Sequence, residues 1–419
     1  MEYLLVVPVP FYRAPDGRIA CESAFAEHLR LSRPMFAPRF DRMRVAAPRM
    51  SDAHYEANKH HLGHLSEDED LIYLTELHPV ETGRFAFALF VWLPTFFKII
   101  GAVKGAGLVH AGLSFDILKP FEIFSLFAGW LMRRKTIFVI DIDNRKSVDM
   151  QRATGAISYR SYLIAKYLYN PLRALQIRWA VRCCSLLMLK SQSLVDDFGG
   201  GRSHVKNFYD VAFSPEYMIP SERLESKITD FERGEAPLHL TYFGRLVPYK
   251  GIDYCIRAVH QAHERGAEAV HLHILGAGEQ EAELKALASE LGAEDYITFY
   301  GAVPFGPVFF DQLYDYHLLM AAPISQDTPR SAFDAMAAGI PLLAFDTDYY
   351  KDLTHTGACT VVPWRSVGGL ADKILHYYRN RPELSAQMRA GVTFAKDNSQ
   401  ELWLERRIAW TNALFEKEA

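Results

Sequence analysis

Arg245 and Lys250 are the residues of this 419-residue chain best placed to do chemistry. They lie in the run LHLTYFGRLVPYKG, Leu238 to Gly251, where an apolar strand-like segment ends at Gly244 and a helical pattern starts after Gly251. Loop N–H groups, a helix N-terminus and two fixed cations together make an anion site. A guanidinium fork and a compact ammonium suit two phosphates, so the predicted ligand is the diphosphate of a nucleotide. The plainer alternative is a pair of surface cations on a strand–helix loop.

These residues need a scaffold, and the chain supplies an alternating one. From Leu238 onward, apolar runs at 271–275, 296–300, 318–322 and 341–345 alternate with helical spacing at 252–259, 281–291, 308–314 and 331–338. Gly266, Gly292 and Gly339 fall where helices should stop. This alternation predicts a doubly wound parallel sheet, whose ligands bind beyond the carboxyl ends of the strands. Arg245, Lys250, Gly276 and the loop from Gln326 to Asp334 all follow strands, so they converge on one edge. The first half alternates too. Strand-like runs at 3–9, 108–110, 136–142 and 186–190 are separated by a helical segment at 21–31 and a long Tyr- and Arg-rich one at 157–184. Pro and charge without sustained periodicity make 210–237 read as a linker. Helical patterns close the chain at 370–379, 382–396 and 400–415.

The length suggests two domains. Net charge is −4, which argues against a general nucleic-acid binder. The charge is uneven: to Pro215, Lys and Arg exceed Asp and Glu by about six, so a basic half can face an anionic membrane or acceptor. The five cysteines form no C-x-x-C pair, and reduced thiols in a cytoplasmic protein are expected. Met1 leads straight into YLLVVPVP, so no signal peptide is expected. The most apolar stretch, Phe85 to Phe97, is bounded by Arg84 and Lys98, contains Pro94, and reads as too short to span a bilayer. Burial is favoured for it over an interfacial position. An aromatic and basic helical stretch, Tyr159 to Arg182, suits either an anionic membrane surface or an ordinary exposed helix.

The runs FGRLVPYKG, LHILGAGEQ, ITFYGAV and SAFDAMAAGIPLLAFD, in this order, resemble the donor half of the retaining GT-B glycosyltransferases of family 4. The runs LVHAGLSFD, KTIFVIDID, LLMLKSQSL and VKNFYD are compatible with its other half. The resemblance implies an α/β fold of two doubly wound Rossmann-like domains facing a central cleft. These are an acceptor-binding domain over 1–212, a donor-binding domain over 213–398, and a final helix, 399–419, returning to the first domain. It implies a retaining transfer of a sugar from a nucleotide-diphospho-sugar to an acceptor hydroxyl in bacterial polysaccharide or glycolipid assembly. It also implies a cytoplasmic enzyme, peripheral at the inner membrane face, with no cofactor and no metal. A non-catalytic sugar-nucleotide-binding or scaffold protein, and a sugar-nucleotide epimerase of the same fold, are the alternatives.

By resemblance, Arg245 and Lys250 hold the donor diphosphate beside Gly244 and Gly276. The family's pair of glutamates falls here on Gln326 and Asp334, which is a departure. Gln326 keeps an acceptor oxygen for sugar hydroxyls without the charge, and Asp334 keeps the charge on a shorter arm. Asp327 is a possible substitute carboxylate pointing differently. Asp334 can contact ribose, or it can complete a capping box with Ser331 at the N-cap. Arg330 can meet a phosphate, and Gly17 permits a close backbone approach to the donor from the first half. Asp141 or Asp143, at a strand end, can orient an acceptor hydroxyl or take its proton, or can simply cap a turn. Arg18, His110, Asn144 and Arg145 complete the acceptor candidates. His60, His61 and His64 have partial metal-ligand spacing, but nothing completes a site. The turn Gly276-Ala277-Gly278 lacks the third glycine of a dinucleotide fingerprint, so hydride chemistry is not supported.

Overall fold

A computed structural model of the protein describes residues 1–60, 62–234 and 236–416, with all their side chains except those of Ala24 and Asn144. The chain divides into two compact units. The first comprises Met1–Asp141, Leu163–Phe208 and the chain from Leu404. The second comprises Ile142–Tyr162 and Tyr209–Trp403, so 142–162 groups with the second unit although the sequence reading placed it in the first.

The first unit carries β1 (Glu2–Val6), β2 (Tyr12–Arg13), β3 (Ile19–Glu22), β4 (Arg42–Arg49), β5 (Leu62–Leu65) and β6 (Ile72–Pro79). Then follow β7 (Ala106–Gly112), β8 (Lys135–Ile140), β9 (Leu186–Leu189) and β10 (Val205–Asn207). Seven of these form a parallel sheet in the order β10-β9-β8-β7-β1-β4-β6. The order reverses between β1 and β7. A small antiparallel sheet, β2-β3-β5, stands beside it.

The second unit carries β11 (Leu238–Phe243), β12 (Val270–Leu275), β13 (Ile297–Gly301), β14 (Leu318–Ala321), β15 (Leu342–Phe345) and β16 (Cys359–Val362). They form one parallel sheet in the order β13-β12-β11-β14-β15-β16, with its switch between β11 and β14. Leu240, Thr241, Tyr242 and Phe243 are all buried, as expected of a strand covered on both faces. The helix Ile252–Glu264 turns Ile252, Cys255, Ile256 and Val259 inward, and their 3.6-residue spacing is what made it legible.

Two sequence expectations fail. The supposed linker holds a helix, Ser221–Arg233, which buries Leu224, Ile228 and Phe231 at i, i+4 and i+7 and ends on the left-handed Gly234. The apolar stretch expected to be buried is part of a continuous helical run, Arg84–Gly105, long and apolar enough to cross a membrane. Most of its apolar side chains are exposed: Phe85 is 78% exposed, Leu89 74% and Phe90 77%.

Candidate functional site at the carboxyl ends of β11 and β14

Three loops meet at the switch point of the second sheet, and glycines let them approach. Gly276 has φ 157° and a Cβ there would lie 1.9 Å from the Gly244 carbonyl oxygen. Gly251 has φ 63° and a Cβ there would lie 2.0 Å from the Ala322 carbonyl oxygen. Any side chain at either position would force the loops apart. Backbone bonds weld them as well. Leu246 N donates to Ala277 O (3.0 Å), Gln280 N to Leu246 O (3.1 Å), and Ile324 N to Tyr249 O (2.9 Å).

This frame fixes Lys250. Its Nζ lies 2.5 Å from Asp327 Oδ2, with the two side chains 15% and 11% exposed. Asp327 is held from the other side by the Thr328 N–H, which donates to Oδ1 at 3.1 Å. Lys250, Asp327 and Ser331 are polar groups on the wall of one small cavity, closed by Tyr242, Pro329 and Tyr350. Arg245 is exposed, and its Nη2 donates to Tyr249 Oη at 3.0 Å. Tyr242 Oη donates to the Arg245 carbonyl at 2.9 Å and so braces the loop from below. The helix Ile252–Glu264 begins directly after Gly251, with its N-terminal N–H groups at the same edge.

Asp334 is buried in the helix Ser331–Ala337. Burial pushes its carboxyl up to about 7, Asp210 adds to the rise, and Arg330 opposes it. Its Oδ1 has no hydrogen-bond partner among the described residues. The capping-box reading fails, because Arg330 occupies the N-cap, Ser331 is the first helical residue and no side chain caps the end. Arg330 Nε lies 3.8 Å from Asp210 Oδ2, and Gln326 is half-buried on the loop before this helix.

The remaining candidates are placed as follows. Asp141 is exposed just past β8. Asp143 caps the helix Asn144–Ala153 and forks with Arg145, whose Nε and Nη2 approach its oxygens at 2.8 and 2.5 Å. The turn-capping reading of Asp143 is therefore realised, and Arg145 is engaged there too. The Asn144 side chain lies outside the described residues. Gly17 has φ 86° in the turn between β2 and β3, and Arg18 pairs with Asp16 at 2.7 Å. His110 lies within β7 and shares a 2.6 Å hydrogen bond with Tyr3 Oη. Burial pushes its pKa down to about 3, which keeps it neutral. Of the histidine triplet, His61 lies outside the described residues; no group of three metal-capable side chains occurs among those described.

Sequence reasoning missed Tyr249, Tyr350 and Glu122. Glu122 is buried beyond β7, accepts from Ser114 Oγ at 2.8 Å, and is pushed by burial up to about 7. Its signal was a lone carboxylate inside the apolar run FEIFSLF.

Two parallel α/β units of this topology define the GT-B fold. Residues 237–380, which lie within the second unit, match the family described as "Glycosyl transferases group 1". The chain is similar to HepE of Anabaena, solved in complex with UDP, at 17% identity and TM-score 0.64, covering 99% of this chain and 100% of that one. It is 29% identical over 131 residues to the GtfA subunit of a UDP-N-acetylglucosamine–peptide N-acetylglucosaminyltransferase of Streptococcus pneumoniae, covering 31% of this chain and 25% of GtfA. It is 23% identical over 240 residues to the 2-deoxystreptamine glucosyltransferase of Streptomyces kanamyceticus, covering 54% of this chain and 60% of that enzyme. The chain spans only a quarter of the length of GtfA.

Proposed function

We propose that this protein is a retaining glycosyltransferase that moves a hexosyl group from a nucleotide-diphospho-sugar to a hydroxyl of a glycan or lipid-linked glycan in bacterial polysaccharide or glycolipid assembly. The observation that carries this reading is the Lys250–Asp327 pair on the cavity wall, with Arg245 on the same loop and a helix N-terminus beside it. The second unit holds the donor. As the sugar C1–O bond to the diphosphate breaks, negative charge grows on the leaving oxygen. Arg245, Lys250 and the N-terminus of Ile252–Glu264 stabilise that charge without a metal. The acceptor hydroxyl forms the new C1–O bond on the same face, and its proton passes to the departing phosphate oxygen. Asp334 and Gln326 are acceptors for donor hydroxyls, with Ser331 and Arg330 alongside. The first unit takes the acceptor, with Asp141 at its strand end. The protein works in the cytoplasm, at the inner face of the cell membrane when the acceptor is lipid-linked.

HepE was solved with UDP and with UDP-glucose, which makes UDP the first nucleotide to try. The test is a thermal-shift screen of UDP, GDP, ADP and their sugars, followed by assay of nucleoside diphosphate release over an acceptor panel. One nucleotide should raise Tm and its sugar should be consumed. The Gln326 replacement favours a binding protein without transfer as the second reading. That reading requires stabilisation with no diphosphate release over any acceptor.

A further inference from the structure

We infer that the outer face of the helical run Arg84–Gly105, with its neighbour Phe121–Leu131, is a monotopic membrane-binding surface that inserts into the headgroup–acyl boundary of an anionic phospholipid bilayer. This deepens the membrane-face placement proposed above and does not depend on sugar transfer. The run has two opposite ridges. Ile99 and Val103 are buried in the core of the first unit, and Phe87 and Thr95 are buried toward Phe121 and Phe124 of the neighbouring helix, so the run packs along the unit and does not cross a bilayer. Phe85, Leu89, Leu93 and Phe97 recur at i+4 on the other side, 78%, 74%, 55% and 63% exposed, with Phe90 between them. Phe96 packs on Phe124 with ring centroids 4.1 Å apart, joining the run to the second helix, which adds exposed Phe127, Trp130 and Leu131. So continuous an apolar patch on a folded protein marks an interaction surface.

Charge selects the occupant. The segments 84–105, 121–135 and 163–183 contain ten Lys and Arg and a single carboxylate, Glu122, in a chain whose net charge is −4. Glu122 is buried and pushed up to about 7, so it scarcely offsets that charge. The cations border the apolar ridge. Arg134 Nη2 donates to the Lys104 carbonyl at 2.9 Å, which brings the Arg133–Lys135 turn to one end of the run. At the other end Arg173 donates to the Phe115 carbonyl at 3.2 Å, while Asp116, just outside these segments, offsets Arg84 at 2.8 Å. Exposed Phe, Leu and Trp flanked by Lys and Arg match a lipid interface, with side chains in the acyl boundary and cations among the phosphates. Arg173, from the aromatic and basic stretch, contributes to the border, while the apolar insertion belongs to 85–97.

The test is flotation of the full chain, without donor, on phosphatidylglycerol–phosphatidylcholine and on pure phosphatidylcholine vesicles. The wild type should float with the anionic vesicles and far less with the neutral ones. Leu89→Gln with Phe90→Gln should lower the partition coefficient roughly tenfold or more, since each side chain is one of the apolar anchors. Both sites are exposed, so the melting curve should stay in place. Arg133→Glu with Arg134→Glu should abolish the preference for anionic lipid. Equal flotation on both vesicle types, unchanged flotation of the glutamine variant, or a wild-type dimer that this variant dissolves would overturn the inference.

Discussion

Lys250 and Asp327, 77 residues apart, form a 2.5 Å ion pair across the ends of β11 and β14. This pair neutralises the cation proposed to hold the donor diphosphate, so it ties stability to affinity. Asp327→Asn should lower stability by about 2 kcal/mol, because a mostly buried ammonium loses its counter-charge. The same change should tighten UDP binding, because the site gains one unit of positive charge. Urea melts and calorimetric titration check the two signs together.

Arg245→Ala should leave stability within about 0.5 kcal/mol of wild type, since the side chain is exposed. Lys250→Ala should cost more, since it strands Asp327. Each should remove the nucleotide-induced rise in Tm and lower kcat/KM by about 10²–10³. Steady-state kinetics on folded variants separate loss of the site from loss of the fold.

Asp334 gives a pH signature. Its folded pKa, about 7, lies above its ordinary value near 3.8, so the fold prefers the protonated form. Its contribution to stability is greatest below about pH 4, declines as pH rises through 7, and is flat beyond. Asp334→Asn should remove that slope and raise stability at pH 8 by about 2–4 kcal/mol. If the carboxylate accepts from ribose, the same variant binds nucleotide more weakly at pH 8. Melts across pH 4–8, with and without UDP, read both effects.

A histidine cluster in the second sheet has the opposite sign. His239 Nδ1 lies 2.9 Å from His273 Nε2, and His317 Nδ1 accepts from the His239 N–H at 3.0 Å. Burial pushes His273 down to about 4 and holds His317 well below its ordinary value. Protonation therefore favours the unfolded chain. Stability from this cluster is complete above about pH 6.5 and is lost as pH falls toward 4. His273→Gln should flatten the acid limb of Tm against pH below 6.5.

Local signals explain what was legible. Leu238–Gly251 states strand, glycine turn, cations and helix within fourteen consecutive residues, so the strand, the loop that carries Arg245 and Lys250, and the helix after it were legible in sequence. The Lys250–Asp327 pair was not, because a contact across two strand ends leaves no local pattern. The helix Ser221–Arg233 was hidden because Pro215, Pro220 and a run of charges outweighed three apolar residues at helical spacing. Phe85–Phe97 announced a hydrophobic element without saying what would cover it. Only packing shows that Phe87 and Ile99 face the core while Phe85 and Leu89 face out. Asp143 carried both a catalytic and a capping reading, and its Oδ1, which accepts from the Arg145 N–H at 3.0 Å, realises the second.

The most direct test of the central claim is a crystal structure of the protein with UDP or a UDP-sugar bound. The diphosphate oxygens should lie about 3 Å from the Arg245 guanidinium and the Lys250 ammonium, with Lys250 drawn from Asp327. A diphosphate bound elsewhere, with Arg245 still on Tyr249 and Lys250 still on Asp327, would contradict it.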